Sequence, residues 1–251
     1  MSEIKKSKDK KRNSKKRIII TLFQLIFIAL IIFSGYKIYI WYTENQQSEK
    51  ILEDISDTIT IDSNNNDYSI DFLKLKEVNP NTVAWIKVNG TNIEYPIVQH
   101  TDNSYYLTHG FDNSYNSSGW IFLDYRNKLD SLDKNIIVYG HNRRNGKMFA
   151  NLLNTLNEDW YNVEENRRIL FITENEKCEY EIFSIYKILD EKYYLTTDFK
   201  NTSFKGFINT IKKRSIHDFG IDLNENDSIL TLSTCDNNND YRIVIHAKKI
   251  E

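Results

Sequence analysis

Residues 18–36, IIITLFQLIFIALIIFSGY, carry no charge, and the run extends to about Ile40 once the Lys37 stem is counted as apolar. Roughly 20 such residues cross a bilayer core as a helix, so nothing here needs a protein partner to be buried. A core helix would show a polar face, and only Gln24 and Ser34 interrupt this one. A cleaved signal peptide also begins basic and continues apolar, but its apolar core is shorter and ends at a small-residue A-x-A-like site, which is missing here. The sequence therefore predicts an uncleaved anchor over 18–40.

Charge sets its direction. Residues 1–17 hold nine Lys and Arg against Glu3 and Asp9, a net of +7, while the rest of the chain sums to −9. A basic arm of this kind can bind nucleic acid, but ahead of an apolar span it acts as a topology signal. The expected layout is a cytoplasmic tail (1–17), a membrane span (18–40), a stalk (41–69) and an extracellular domain (70–251). Within the stalk, Ile51, Leu52, Ile55 and Ile59 have the spacing of a weak helix, and DSNNND reads as a break.

Beyond residue 70 the pattern is mainly β. A short helix ends before Pro80, which disfavours helix in the residue ahead of it. VAWIKVNGTNIEYPIV reads as a hairpin about Asn89-Gly90. Further strands are expected at 119–125, 135–140, 167–173, 178–189, 228–234 and 241–250, separated by polar turns as in a barrel or sandwich. Two helices interrupt them. In 202–215, Phe204, Phe207, Ile208 and Ile211 form one buried stripe, with basic residues closing the last turn. A second helix is expected in GKMFANLLNTL (146–156).

Chemistry is concentrated in few residues. The two cysteines are Cys178, mid-strand and expected to be structural, and Cys235, at a strand end before DNNND. A thiol is a strong nucleophile only as its thiolate, and no helix dipole is available to Cys235, so activation must come from side chains. If the last two strands pair directly, Arg242 lies opposite Cys235 on the same face. His141 follows an apolar strand at the mouth of a loop, where a reactive side chain is held rigidly yet remains accessible. His246 shares the Arg242 face and reads as a half-buried strand residue. His100, His109 and His217 lie in polar loops without a signal of their own. No H-x-x-x-H, C-x-x-C or glycine-rich phosphate loop occurs, so no metal or other cofactor is expected.

At these residues the chain resembles the sortases, cysteine transpeptidases of Gram-positive cell walls. TLSTC (231–235) fits the family's T-L-x-T-C signature, the arginine of YRIVIH comes seven residues later, and YGHN (139–142) stands upstream. The helical segment before the barrel, the long helix at about 203–215 before the Cys strand, and DNSYYLTHGF point to class B. The resemblance implies a closed eight-stranded β-barrel. It also implies Cys235 as nucleophile, His141 as acid and base, Arg242 as oxyanion donor, and Asn103, Leu107 and Ser233 at the substrate pocket. The implied partners are secreted proteins with a C-terminal sorting signal, often of the N-P-x-T-x kind, and an amine on a peptidoglycan precursor. A cysteine hydrolase, a pilus-polymerising sortase and a non-catalytic anchored receptor are the alternatives.

Overall fold

The computed structural model describes residues 2–62, 67–129, 133–143, 145–189, 191–235 and 241–250. The chain falls into two units, Met1–Gln47 and Ser48–Glu251. The described residues of the first are helical throughout. Its helix, α1, runs over Ser2–Ser56, so the span and the stalk as far as residue 56 form one element, and it is long and apolar enough to cross a membrane. The apolar side chains of its uncharged run, Phe23 and Phe27 among them, are exposed.

In the second unit the stalk's apolar pattern divides. Ile55 is buried in the main core, while Ile59 begins a small hairpin, β1 (Ile59–Asp62) with β2 (Asp67–Ile70). The expected break at 62–67 thus carries strand ends, and residues 63–66 lie outside the described residues. Helix α2 (Phe72–Val78) starts where the Asp71 carboxylate accepts the Lys74 amide at 3.1 Å, and it stops before Pro80.

Among the described residues, eight strands close into a barrel. They are β3 (Thr82–Val88), β4 (Glu94–Val98), β5 (Phe122–Leu123), β6 (Asn135–Gly140), β7 (Arg168–Ile172), β8 (Lys177–Leu189), β9 (Ile229–Cys235) and β10 (Tyr241–Lys249). Their order around the barrel is β10-β8-β7-β3-β4-β5-β6-β9. The pairs β4–β5 and β6–β9 are parallel, and the others are antiparallel. Gly90 makes the β3–β4 turn at φ 66°, a backbone region open to glycine. Between β7 and β9 lie the long β8 and helix α4 (Phe204–Arg214), and a one-turn helix, α3 (Glu158–Tyr161), precedes β7.

Helix α4 forms as its spacing predicts. Ser203 caps it by accepting the Gly206 amide at 3.1 Å, and Phe204, Phe207, Ile208 and Ile211 are buried. Each such side chain contributes about 2 kcal/mol by leaving water. They cover the outer face of β8 and β10 and build a second core with Phe183, Tyr186 and Val244. A bulge opposite His246 and Ala247 leaves Phe183 without a partner on β10, so Ile182 and Ile185 both point into the main core.

This second core corrects the expectation for His246, which is completely buried rather than half-buried because α4 lies over its face. The imidazole is fully bonded. Asn135 donates through Nδ2 to the carbonyls of Tyr194 (3.3 Å) and Thr196 (2.9 Å), so its Oδ1 accepts the Thr231 hydroxyl at 2.6 Å. Thr231 has no second proton, hence His246 Nδ1–H donates to it at 2.8 Å, and Nε2 accepts from Tyr186 at 2.8 Å. Burial, helped by the charge of Arg214, pushes the His246 pKa down to about 3 and keeps the ring neutral.

The helix expected over 146–156 is also corrected. Met148 takes φ 55°, and its backbone pairs with Asn142, folding the chain back before any helix can start. The chain then enters a tight 3₁₀ segment, Ala150–Leu156, in which the Thr155 hydroxyl bonds the Leu152 carbonyl at 2.7 Å. Short polar side chains of this type compete for backbone groups that an α-helix needs. Cys178 is buried and carries a free thiol, raised by burial above its ordinary pKa, in keeping with a structural residue.

Candidate active site

The two strands that carry the sequence signature pair as expected. Cys235 and Arg242 are direct partners across the β9–β10 ladder. The side chain of Cys235 and the loop 236–240 lie outside the described residues. Strand β6 runs parallel to β9, setting Gly140 opposite Thr234, so His141 follows the strand end beside the one that bears Cys235.

A cleft of about 270 Å³ opens at this end of the barrel. His141 and Arg242 line it together with Asn103, Leu107 and Ser233, so the described side chains expected at the site are brought to one place. Phe122, Tyr139, Gly140, Tyr194, Leu195 and Thr234 complete the lining. The pocket combines apolar side chains with a few convergent groups that donate and accept hydrogen bonds.

His141 is held from three sides. Its backbone carbonyl accepts the Phe149 amide at 3.0 Å, and the Phe149 ring packs so tightly on Gly140 that a Cβ there would come within 2.7 Å. Its Nε2 lies 2.9 Å from the Leu107 carbonyl. A carbonyl only accepts, so Nε2 carries the proton and, in the neutral ring, Nδ1 bears the lone pair. Gly119, at φ 59°, makes this contact possible: a Cβ there would sit 2.4 Å from the Tyr106 carbonyl, 2.9 Å from that of Leu107 and 3.0 Å from the imidazole. Burial lowers the His141 pKa, the bond to Leu107 opposes this, and the charges of Arg143 and Arg242 lower it further. The ring is neutral at pH 7.

The Leu107 carbonyl is itself fixed by a short 3₁₀ turn, Tyr105–Leu107. Around it His100, Tyr105 and His109 stack as parallel rings, with centroids 4.3 Å and 4.0 Å apart. Two of the three histidines that carry no signal in the sequence, His100 and His109, thus brace the segment that orients His141, while His217 stacks on Tyr161 elsewhere.

Three lining residues have their polar groups already engaged. Asn103 donates to Asp124 at 3.0 Å and accepts the Tyr125 amide at 2.9 Å. Tyr139 donates to Asp124 at 2.8 Å, and Ser233 shares a hydrogen bond of 3.0 Å with Tyr194. Asp124, Tyr194 and Leu195 are not singled out by any pattern in the sequence, and Tyr139 enters there only as part of YGHN. The one available signal was an acid and a basic residue, Asp124 and Arg126, directly after the apolar WIFL.

Known proteins carry the same architecture. The Sortase domain family model matches residues 86–250. A curated relative, sortase B of Listeria monocytogenes, is 35% identical over 234 residues, covering 90% of this chain and 94% of its own length. The crystal structure of Clostridium perfringens sortase B matches with a TM-score of 0.68 and 40% identity over 72% of this chain and 100% of that one. A Staphylococcus aureus sortase B–substrate complex matches with a TM-score of 0.67 and 30% identity, covering 84% and 94%. The closed barrel agrees with these structures, and the chain belongs to the sortase family of cysteine transpeptidases, in class B.

Proposed function

We propose that this sortase is anchored by residues 18–40, with the tail 1–17 in the cytoplasm and the catalytic domain 70–251 outside. There it cleaves the C-terminal sorting motif of secreted proteins and joins them to an amine of a peptidoglycan precursor. The basic flank of the apolar span supports the orientation. The observation that carries the chemistry is the meeting of His141 and Arg242 in one cleft, at the end of the strand that bears Cys235.

Cys235 passes its thiol proton to Nδ1 of His141, and the thiolate attacks the carbonyl carbon of the motif threonine. Arg242 donates to the oxyanion of the tetrahedral intermediate, where a fixed charge in a partly dry cleft is most effective. Collapse breaks the C–N bond, and His141 returns its proton to the leaving amine. A thioester remains on Cys235. The acceptor amine attacks that thioester, gives a proton to His141, and expels the thiolate. Asn103, Leu107 and Ser233 form the walls against which the motif lies.

Transfer is separated from hydrolysis by product analysis. Incubated with an N-P-x-T-x peptide and a diaminopimelate- or glycine-bearing acceptor, the enzyme is expected to yield the joined peptide. Cleaved peptide alone, at every acceptor concentration, would assign it as a hydrolase. For Arg242 the planar guanidinium fork is the feature that a lysine lacks. Arg242→Lys is expected to lower kcat about 100-fold with little change in thermal stability. Unchanged kcat in that variant removes arginine from the mechanism.

A further inference from the structure

The cleft walls come from distant parts of the chain, and the backbone ladder that should join them is at its thinnest there. Strand β5 has two residues, paired to β4 only through Val98 and Phe122 and to β6 through Phe122 and Leu123. Side chains must supply the geometry that the ladder does not. They converge on Asp124, the residue after β5, whose carboxylate is completely buried.

Asp124 Oδ2 accepts from Asn103 Nδ2 at 3.0 Å, Tyr139 Oη at 2.8 Å and Arg126 Nη2 at 2.7 Å. Its Oδ1 accepts from Arg126 Nε at 2.8 Å and from the Arg126 amide at 3.0 Å. The same Arg126 Nη2 reaches the Leu195 carbonyl at 3.1 Å. One carboxylate therefore ties the wall at Asn103 to the floor at Tyr139 and, through Arg126, to the opposite wall at Leu195. Burial alone would raise its pKa, but the bonds from Arg126 outweigh burial and hold it below the usual carboxylate range. Burial, together with the charge of Asp124, raises Tyr139, so the phenol stays a donor.

We propose that Asp124 and Arg126 are positioning residues that set the separation of the cleft walls, and with it the binding of the sorting-motif peptide. The proposal rests on the reading of this cleft as the peptide site. Both residues act through Asn103, Tyr139 and Leu195, and neither takes part in the chemical step. An ionised carboxylate is required because every neighbour is a donor. An amide at this position would turn an N–H toward other N–H groups and leave Arg126 without its counter-charge.

The test is steady-state cleavage of an internally quenched N-P-x-T-x peptide by the wild type, Asp124→Asn, Arg126→Gln and Cys235→Ala. Asp124→Asn is expected to raise KM about tenfold while kcat stays within about threefold, with the acid limb of the pH profile unmoved. Arg126→Gln keeps the bonds of Asp124 to Asn103 and Tyr139 but frees Leu195, and should raise KM in the same direction by a smaller factor. Its side chain is partly exposed, so this variant decides the matter if Asp124→Asn fails to fold. A purely structural role would lower the active fraction, so apparent kcat would fall and KM would hold. Unchanged KM in both variants, with Cys235→Ala inactive, overturns the positioning role alone. Full activity in Cys235→Ala overturns the reading of the site beneath it.

Discussion

Cys235→Ala is expected to reduce kcat/KM for a sorting-motif peptide by about 10⁴-fold or more, which corresponds to at least about 5.5 kcal/mol of transition-state stabilisation. The loss is this large because the thiolate makes the bond that divides one difficult exchange into two easier ones. Without it, neither Arg242 nor His141 has an intermediate on which to act. Folding should survive. Cys235 ends β9, and the ladder with β10 continues from Thr234 opposite Ile243 down to Ile229 opposite Lys248. The thermal midpoint should therefore stay within a few degrees of the wild type. Retained turnover in a folded Cys235→Ala protein would remove this residue from the mechanism.

His141→Ala should cost about 10³-fold in kcat. The imidazole is positioned for proton transfer rather than for stability: its Nε2–H is bound by the Leu107 carbonyl, which leaves Nδ1 to exchange protons. Alanine removes the base while the backbone bond from Phe149 to residue 141 persists, so a folded protein is expected. The direction of the His141 shift sets the pH dependence. Burial lowers its pKa from 6.5, and the nearby arginines add to this, so the neutral base persists below pH 6.5. In the wild type the acid limb of kcat/KM should accordingly fall at a pH under 6.5, and it should vanish in the residual activity of His141→Ala. An acid limb centred above pH 6.5 would assign it to another group.

Different parts of the molecule were legible in the sequence to different degrees. The stripe of Phe204, Phe207, Ile208 and Ile211 could be read because helical spacing is local, and α4 formed where it predicted. The pairing of Cys235 with Arg242 was legible because a short loop between two strands leaves little choice of register. Closure of the barrel was not: β4–β5 and β6–β9 are parallel contacts between segments far apart in sequence, and the closed form came from the family resemblance. His246 was misread because strand alternation describes one covered face, and here the main core lies on one side of β10 and α4 on the other.

Around the cleft, local patterns had least to say. Asp124 lies in WIFLDYRN as an ordinary acid after a strand with Arg126 two residues on, and only the fold brings Asn103 and Tyr139 onto it. Tyr194 and Leu195 look like loop residues, yet Asn135 and Arg126 fasten their carbonyls from two directions. For Asn103, the resemblance implied a contact with substrate. Its side-chain bonds to Asp124 and the Tyr125 amide make it also part of the frame.

The most direct test of the acyl-enzyme mechanism is intact-protein and peptide mass spectrometry of the purified domain 70–251, quenched in acid shortly after mixing with an N-P-x-T-x peptide. The expected result is a mass increase equal to the peptide's acyl portion up to the threonine, mapped to Cys235, lost on treatment with hydroxylamine and missing in Cys235→Ala. Cleavage of the peptide with no adduct on Cys235 at any quench time, or an adduct on a different residue, would contradict it.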